Sequence, residues 1–199
     1  MSYETLIALT VFAVVISISP GPNNIMLLAS GVNYGFAKSI PHILGVAFGL
    51  SFLCLCIGFG LGTLFKLYPQ LLVYLKVFAL IYLVYLSWRT AFSKVISTNK
   101  SKVSRPMTFI EACLFQWVNP KAWVMLITMI TLYTNADQPT LSLIIVAVVF
   151  ILTNLPSQSV WALFGMTLRK FLSKERHIRI FNIATGVLLI LSIAPVVLS

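Results

Sequence analysis

The sequence predicts an all-α polytopic membrane protein of six transmembrane helices, arranged as two inverted three-helix repeats whose first and fourth helices are broken. Three observations lead there. Of 199 residues, 59% are hydrophobic and only 9% are charged. A soluble domain of this size cannot hide that much apolar surface. Apolar stretches of about 18–25 residues, each long enough to cross roughly 30 Å of hydrocarbon, recur along the chain. Two of those stretches are interrupted by proline beside asparagine. With no water in the bilayer core, backbone groups must pair within each segment, which selects helices. The strand-length alternation that a barrel needs is absent.

The expected spans are 5–29, 43–65, 71–92, 109–133, 141–168 and 180–198. The first contains Ser19-Pro20-Gly21-Pro22-Asn23-Asn24. Two prolines delete backbone donors and clash with the preceding turn, so the helix breaks. Pro22 then suits the first position of a new helix, with Gly21 as its cap. The second span carries a Gly45/Gly49 step, followed by Gly58, Gly60 and Gly62, which predicts close helix contact. The fourth span is broken at Asn119-Pro120, where Asn119 is a good cap and Pro120 a good first residue. Each break sets a helix N-terminus at membrane depth, with free amide donors and partial positive charge that attract carboxylates.

A single membrane domain is expected over 1–199. It divides into a first half at 1–92, a basic linker at 93–108 and a second half at 109–199. Gly58 and Gly165 stand 107 residues apart, as do Ala79 and Gly186, and Tyr82 and Leu189; Pro22 and Pro120 stand 98 apart. Three spans per half is an odd number, so such a repeat runs inverted, an arrangement typical of secondary transporters.

The net charge of +10 comes from 14 basic against 4 acidic residues. Eleven of the basic residues fall in three loops on one side: Lys38; Arg89, Lys94, Lys100, Lys102 and Arg105; and Arg169, Lys170, Lys174, Arg176 and Arg179. The other side has Lys66 and Lys76 against Glu4 and Asp137. This is the positive-inside asymmetry, and it places both termini outside the cytoplasm. It argues against a nucleic-acid partner and for contact with anionic membrane lipids. Ser2, Tyr3, Glu4 and Thr5 form no basic leader, so the first span is expected to stay attached. Cys54, Cys56 and Cys113 sit in apolar runs without metal-ligand or redox spacing; they read as small buried residues, and no cofactor is expected.

Lys121 is the unusual charge, about twelve residues from either end of the fourth span. A charge at the centre of a membrane span costs at least ~2.5–3.5 kcal/mol and usually marks a functional site. Substrate binding and proton exchange are both open roles for it. The candidate substrate-binding residues are Pro20, Gly21, Pro22, Asn23, Asn24, Gln116, Asn119, Pro120, Lys121, Asn154, Pro156 and Gln158. On the fifth span Asn154, Ser157, Gln158 and Trp161 fall at i, i+3, i+4 and i+7, one helical face beside Pro156. Interhelical hydrogen bonding is the alternative reading of that stripe, and simple kinking is the alternative for each proline. His42 reads as a polar interface residue rather than a proton relay.

The run Pro20-Gly21-Pro22-Asn23-Asn24 with Gly35, Gly45 and Gly49, and the later Asn119-Pro120-Lys121-Ala122, resemble the two signatures of the LysE/RhtB family of bacterial amino-acid exporters. The doubled asparagine is similar to the branch exporting cysteine and O-acetylserine. The resemblance implies ion-gradient-driven efflux of amino acids or close derivatives, of the cysteine, O-acetylserine or homoserine/threonine type, across the inner membrane. One feature narrows the substrate. Glu4, Glu111, Asp137 and Glu175 all fall at or near span ends, so a cationic substrate would lack a counter-charge and a neutral zwitterion fits better.

Other function classes fare worse. The chain has no Gly-x-Ser-x-Gly or His-Glu-x-x-His pattern, so no enzyme is expected. An intramembrane enzyme and a passive channel for small polar solutes stand as the alternatives to a transporter working by alternating access. A homodimer is permitted by the glycine faces but not required.

Overall fold

A computed structural model of the chain describes residues 1–61, 67–68, 70–93, 105–135, 137–172 and 174–192, save the side chains at 72, 75, 76 and 79. Lys66, Lys94, Lys100, Lys102 and Gly62 lie outside the described residues, as do the side chains of Lys76 and Ala79 and the last residues of the sixth expected span. Among the described residues there are eight α-helices and no strand: α1 (Tyr3–Ile18), α2 (Pro22–Tyr34), α3 (Phe36–Cys56), α4 (Gln70–Ala91), α5 (Phe109–Val118), α6 (Pro120–Tyr133), α7 (Pro139–Arg169) and α8 (Glu175–Leu191).

Two of these, α3 with its π-helical extension Ile57–Leu61 and the 31-residue α7, are long and apolar enough to cross a membrane. The pair α1 and α2 makes a third candidate, bent by 56° at its break. The pair α5 and α6 consists of shorter apolar helices separated at Asn119. Both breaks fall at the prolines, for the reason given above: Pro22 and Pro120 each occupy the first turn of the new helix.

Several boundaries differ from expectation. The second span begins at Phe36 rather than 43, because Gly35 takes φ +81° and turns the chain directly from α2 into α3 without a loop. Lys38 and Pro41 therefore sit exposed on the first turns of α3. The same turns bury Ser39 and His42; His42 is 1% exposed. The last helix starts at Glu175, five residues early. Gly60, expected to serve close packing, instead takes φ +123° with open space around it and kinks the π-helical extension.

The bundle is apolar on its outside, and its apolar core also encloses a set of polar side chains. Phe52, Val124 and Leu152 stand 59%, 69% and 65% exposed, while Asn24, Gln116 and Gln158 are 2%, 0% and 2% exposed. That inversion of the soluble pattern suits a lipid surround. α7 runs through the middle, against α1, α2 and α3; α3 also packs on α5, and α4 on α8. Glycine sets the closest approaches. A Cβ at Gly31 would meet the Ala162 carbonyl, and one at Gly165 would meet the Leu28 carbonyl, so α2 and α7 touch backbone to backbone. Gly45 and Gly49 do the same for α3 against Phe109 and Cys113 of α5. These two glycines are used inside the chain, so this face is not free for a second copy.

The Gly31–Gly165 crossing generates a prediction. Replacing either glycine with alanine forces a methyl into a backbone carbonyl, an overpacking that costs ~1–3 kcal/mol. A thermal melt of each purified variant in detergent should show a midpoint lower by several degrees. An unchanged midpoint would mean that the two helices do not cross this closely.

Candidate functional site

The first break orphans a row of carbonyls. In a continuous helix the amides of residues 20 and 22 would donate to the carbonyls of Ile16 and Ile18, but prolines have no amide hydrogen. Side chains take their place. The Ser19 hydroxyl donates to Ile16 O at 2.8 Å. The Asn24 amide nitrogen donates to Ser17 O and Ser19 O, both at 2.8 Å. The Trp161 ring nitrogen, from α7, donates to Ile18 O at 3.2 Å. Lys121, from the first turn of α6, donates to Ser19 O at 2.8 Å, Ser19 Oγ at 2.7 Å and Pro20 O at 3.3 Å. A cation at the carbonyl end of a helix also complements its dipole. Lys121 does not reach for lipid headgroups; it bridges the second break to the first.

The space for that bridge depends on Gly21. A Cβ at Gly21 would lie 2.8 Å from Lys121 Cδ and 3.2 Å from its Nζ. The glycine is needed for the passing side chain, since its own φ of 180° is open to any residue.

Beside this bridge lies a cavity lined by Gly21, Asn23, Asn24, Asn119, Lys121, Asn154 and Gln158, with Ile16, Ser17, Leu50, Ala122 and Met125 completing it. Its amides form a directed network. Asn154 donates to Phe150 O at 3.0 Å, which turns its oxygen toward Gln158 Nε2 at 3.1 Å. That leaves Gln158 Oε1 without a partner. Asn24, with its nitrogen held by the α1 carbonyls, likewise presents an unpartnered Oδ1. Asn119 stands at the cap position of α6 but makes no capping bond, contrary to expectation; its Oδ1 is buried and unpartnered. Each unmet group of this kind costs ~1–3 kcal/mol. Three buried amide acceptors therefore share one small cavity, beside the first turns of α2 and α6, whose leading amides have no acceptor within their own helix. Acceptors suit an ammonium, and helix starts suit a carboxylate. As it stands the clear interior is the size of about one water molecule, so anything larger enters only when helices move.

Of the expected residues, Gln116 pairs with Asn23 by two reciprocal bonds of 2.9 and 3.1 Å, tying α5 to α2 just beside the cavity. Pro22 and Pro120 start their helices rather than line the space. Pro20 and Pro156 are exposed and lie outside the lining, although the Pro20 carbonyl accepts from Lys121. Within the α7 stripe Ser157 is buried with an unpartnered hydroxyl, and Trp161 serves the α1 end. Sequence reading passed over Ser17 and Ser19. Their signal was available: both lie in the last turn before Pro20, where orphaned carbonyls collect.

The family model for the LysE type translocator matches residues 14–198. The homoserine/homoserine lactone efflux protein of Salmonella typhimurium is 26% identical over 195 residues, covering 96% of this chain and 95% of its own length. The cysteine/O-acetylserine efflux protein of Escherichia coli K12 is 26% identical over 194 residues, 96% of each chain. An uncharacterized membrane protein of Vibrio cholerae is 27% identical over 132 residues, 65% of this chain and 64% of its own. No solved structure matches. With the family model covering nearly the whole length, from the last turns of α1 through both broken pairs, this chain belongs to the LysE family of translocators.

Proposed function

We propose that this protein exports neutral amino acids or their close derivatives, of the homoserine, cysteine or O-acetylserine type, across the bacterial inner membrane. Six spans form two inverted three-helix halves, with the basic loops and the linker at 93–108 in the cytoplasm and both termini outside. The observation that carries the reading is the bridge from Lys121 to the carbonyl end of α1. There an ammonium group of the protein occupies a nest that fits the ammonium of an amino acid equally well.

Transport is an exchange at that nest. The substrate ammonium displaces Lys121 from Ser19 O and Pro20 O and gains the free oxygens of Asn24, Asn119 and Gln158. The released Lys121 turns to the substrate carboxylate, which also meets the first-turn amides of α2 or α6. Charge stays balanced, because the zwitterion brings one charge of each sign. The absence of an acidic residue among the described lining residues supports a zwitterion over a cation such as lysine.

Unequal packing supports alternating access. Under the inverted repeat, α2 against α7 corresponds to α6 against α3. α2 is seated on α7 backbone to backbone, whereas α6 touches α3 only sparsely. Rocking that seats α6 on α3 and lifts α2 from α7 would open the cavity to the other side. Homologues named as efflux proteins for homoserine and for cysteine/O-acetylserine support the substrate class.

A panel of labelled amino acids, loaded into proteoliposomes and followed for release, tests the reading. Saturable, gradient-dependent export of at least one neutral amino acid is expected, with lysine unaffected; non-saturable leakage would make the protein a channel. Lys121→Ala, in protein that still reaches the membrane, should lose at least about tenfold in export rate, since a charge-assisted hydrogen bond contributes ~1.5–3 kcal/mol. Full activity would remove Lys121 from the mechanism. Gly21→Ala should reproduce much of that loss by pushing the Lys121 side chain off the α1 end. If Gly21→Ala exports normally while Lys121→Ala fails, the bridge itself is dispensable.

A further inference from the structure

A second polar cavity opens at the end of the bundle that carries the basic loops. It lies between α2, the start of α3, the end of α4 and residues 105–107; it measures about 390 Å³ counted to its open mouth, with a clear interior for about three water molecules. We propose that it is a separate binding site, which takes the carboxylate of the amino acid before the molecule reaches the deep cavity. The identity of the ligand rests on the transport reading above; the site rests on residues of its own.

His42 provides the first observation. It lines this cavity, is 1% exposed, and neither ring nitrogen has a partner. A neutral imidazole carries one donor and one acceptor. Leaving both unmet in a buried position is costly, a cost that a ligand admitted by a small movement of the cavity wall would relieve.

Charge provides the second. Arg89 and Arg105 both line the cavity, and between them stands one carboxylate. Arg105 grips both oxygens of Glu111, at 2.7 and 2.8 Å. Arg89 is left 3.7 Å from the nearer oxygen and donates to the Arg105 carbonyl at 3.0 Å. Two guanidiniums against one carboxylate leave a surplus positive charge, held on the less firmly paired Arg89. No described lining residue is acidic, so the cavity suits an anionic group. A guanidinium binds a carboxylate with both geometry and charge matched, and the imidazole N–H supplies a further donor.

The walls are fixed independently of any ligand. Asn33 and Asn182 join α2 to α8 through two reciprocal bonds of 2.8 and 3.0 Å, and Asn182 also donates to Ser93 O at 3.2 Å. Ser30 and Ser39 join α2 to α3 at 2.7 Å. The opposite end of α2 carries Asn23 and Asn24 into the deep cavity. One helix therefore touches both sites, and its displacement from α7 would pass the molecule from one to the other.

The test uses purified full-length protein in phosphatidylcholine nanodiscs and tritiated L-homoserine as the probe. Lys121→Ala disables the deep site. That variant should still bind the probe saturably, with propionate competing and L-homoserinamide, which lacks the carboxylate, at least about tenfold weaker. Adding Arg89→Gln or His42→Leu should weaken the remaining binding by about tenfold or more. Arg89 is partly exposed, its side chain 23% accessible, so its replacement keeps the test valid if the buried His42→Leu variant fails to fold. The proposal is overturned if Lys121→Ala binds no probe, if Arg89→Gln changes nothing, or if the amide competes as well as the acid. Displacement of the probe by phosphatidylglycerol in the nanodisc would assign the guanidinium to lipid phosphate and also overturn it. Wild-type export is measured in parallel. Export that persists without dependence on Arg89 rejects this site alone; Arg89-dependent binding without export rejects the transport reading alone.

Discussion

The structure depends on how a broken helix end is satisfied where no water is available. Pro20 and Pro22 remove two amide hydrogens within one turn, so the last turn of α1 offers carbonyls that the backbone of its own helix leaves unmet. In hydrocarbon each such group costs several kcal/mol. The remedy draws on three other helices: Asn24 from α2, Lys121 from α6 and Trp161 from α7. Because these donors come from separate elements, the end of α1 becomes the point at which the bundle is tied together. The cost of burying the Lys121 ammonium is offset by the same carbonyls, so two liabilities, an unpaired charge and an unpaired helix end, cancel each other.

That cancellation also bears on the exchange proposed above. The four acceptors that Lys121 and Asn24 use are three backbone carbonyls and one hydroxyl, none of them charged. An ammonium held only by dipoles can be exchanged for another ammonium at little net cost, which a carboxylate partner would resist. The neighbouring amides of Asn24, Asn119 and Gln158 are held with their oxygens unmet. A closed cavity with unpaired acceptors is therefore less stable than a filled one by the worth of those bonds, and this difference is what a ligand can use to shift the equilibrium between arrangements.

Much of this was legible in the residues. Proline chemistry alone located both breaks, and the isolation of Lys121 among apolar residues marked it for a role, because the price of a mid-bilayer charge does not depend on the fold. The i, i+3, i+4 spacing put Asn154 and Gln158 on one face, where the structure has them. Other features depended on tertiary facts. Asn119 read as a cap by local propensity, yet its side chain turns to the cavity. His42 sits next to Pro41 near a loop in sequence, and only the Gly35 turn, which starts α3 seven residues early, carries it inside. Gly31 passed unnoticed because its partner across the contact, near Gly165, lies more than 130 residues away. Gly45 and Gly49 were recognised as a contact face, but a spacing cannot say whether the partner is another helix of the same chain or a second copy.

The two polar regions differ in a way that bears on direction. The deep cavity offers acceptors and one cation that is already bound, whereas the region around His42 and Arg89 offers donors and a cation only loosely paired. An amino acid approaching from the basic-loop side meets a group for its carboxylate first and a nest for its ammonium second. α2 carries polar residues for both, Asn33 and Ser30 at one end and Asn23 and Asn24 at the other, and it is the helix most firmly seated on α7. Its seating is made by glycine against backbone, a contact with no side chains to rearrange. The order of chemistry along one helix thus accords with the export proposed above.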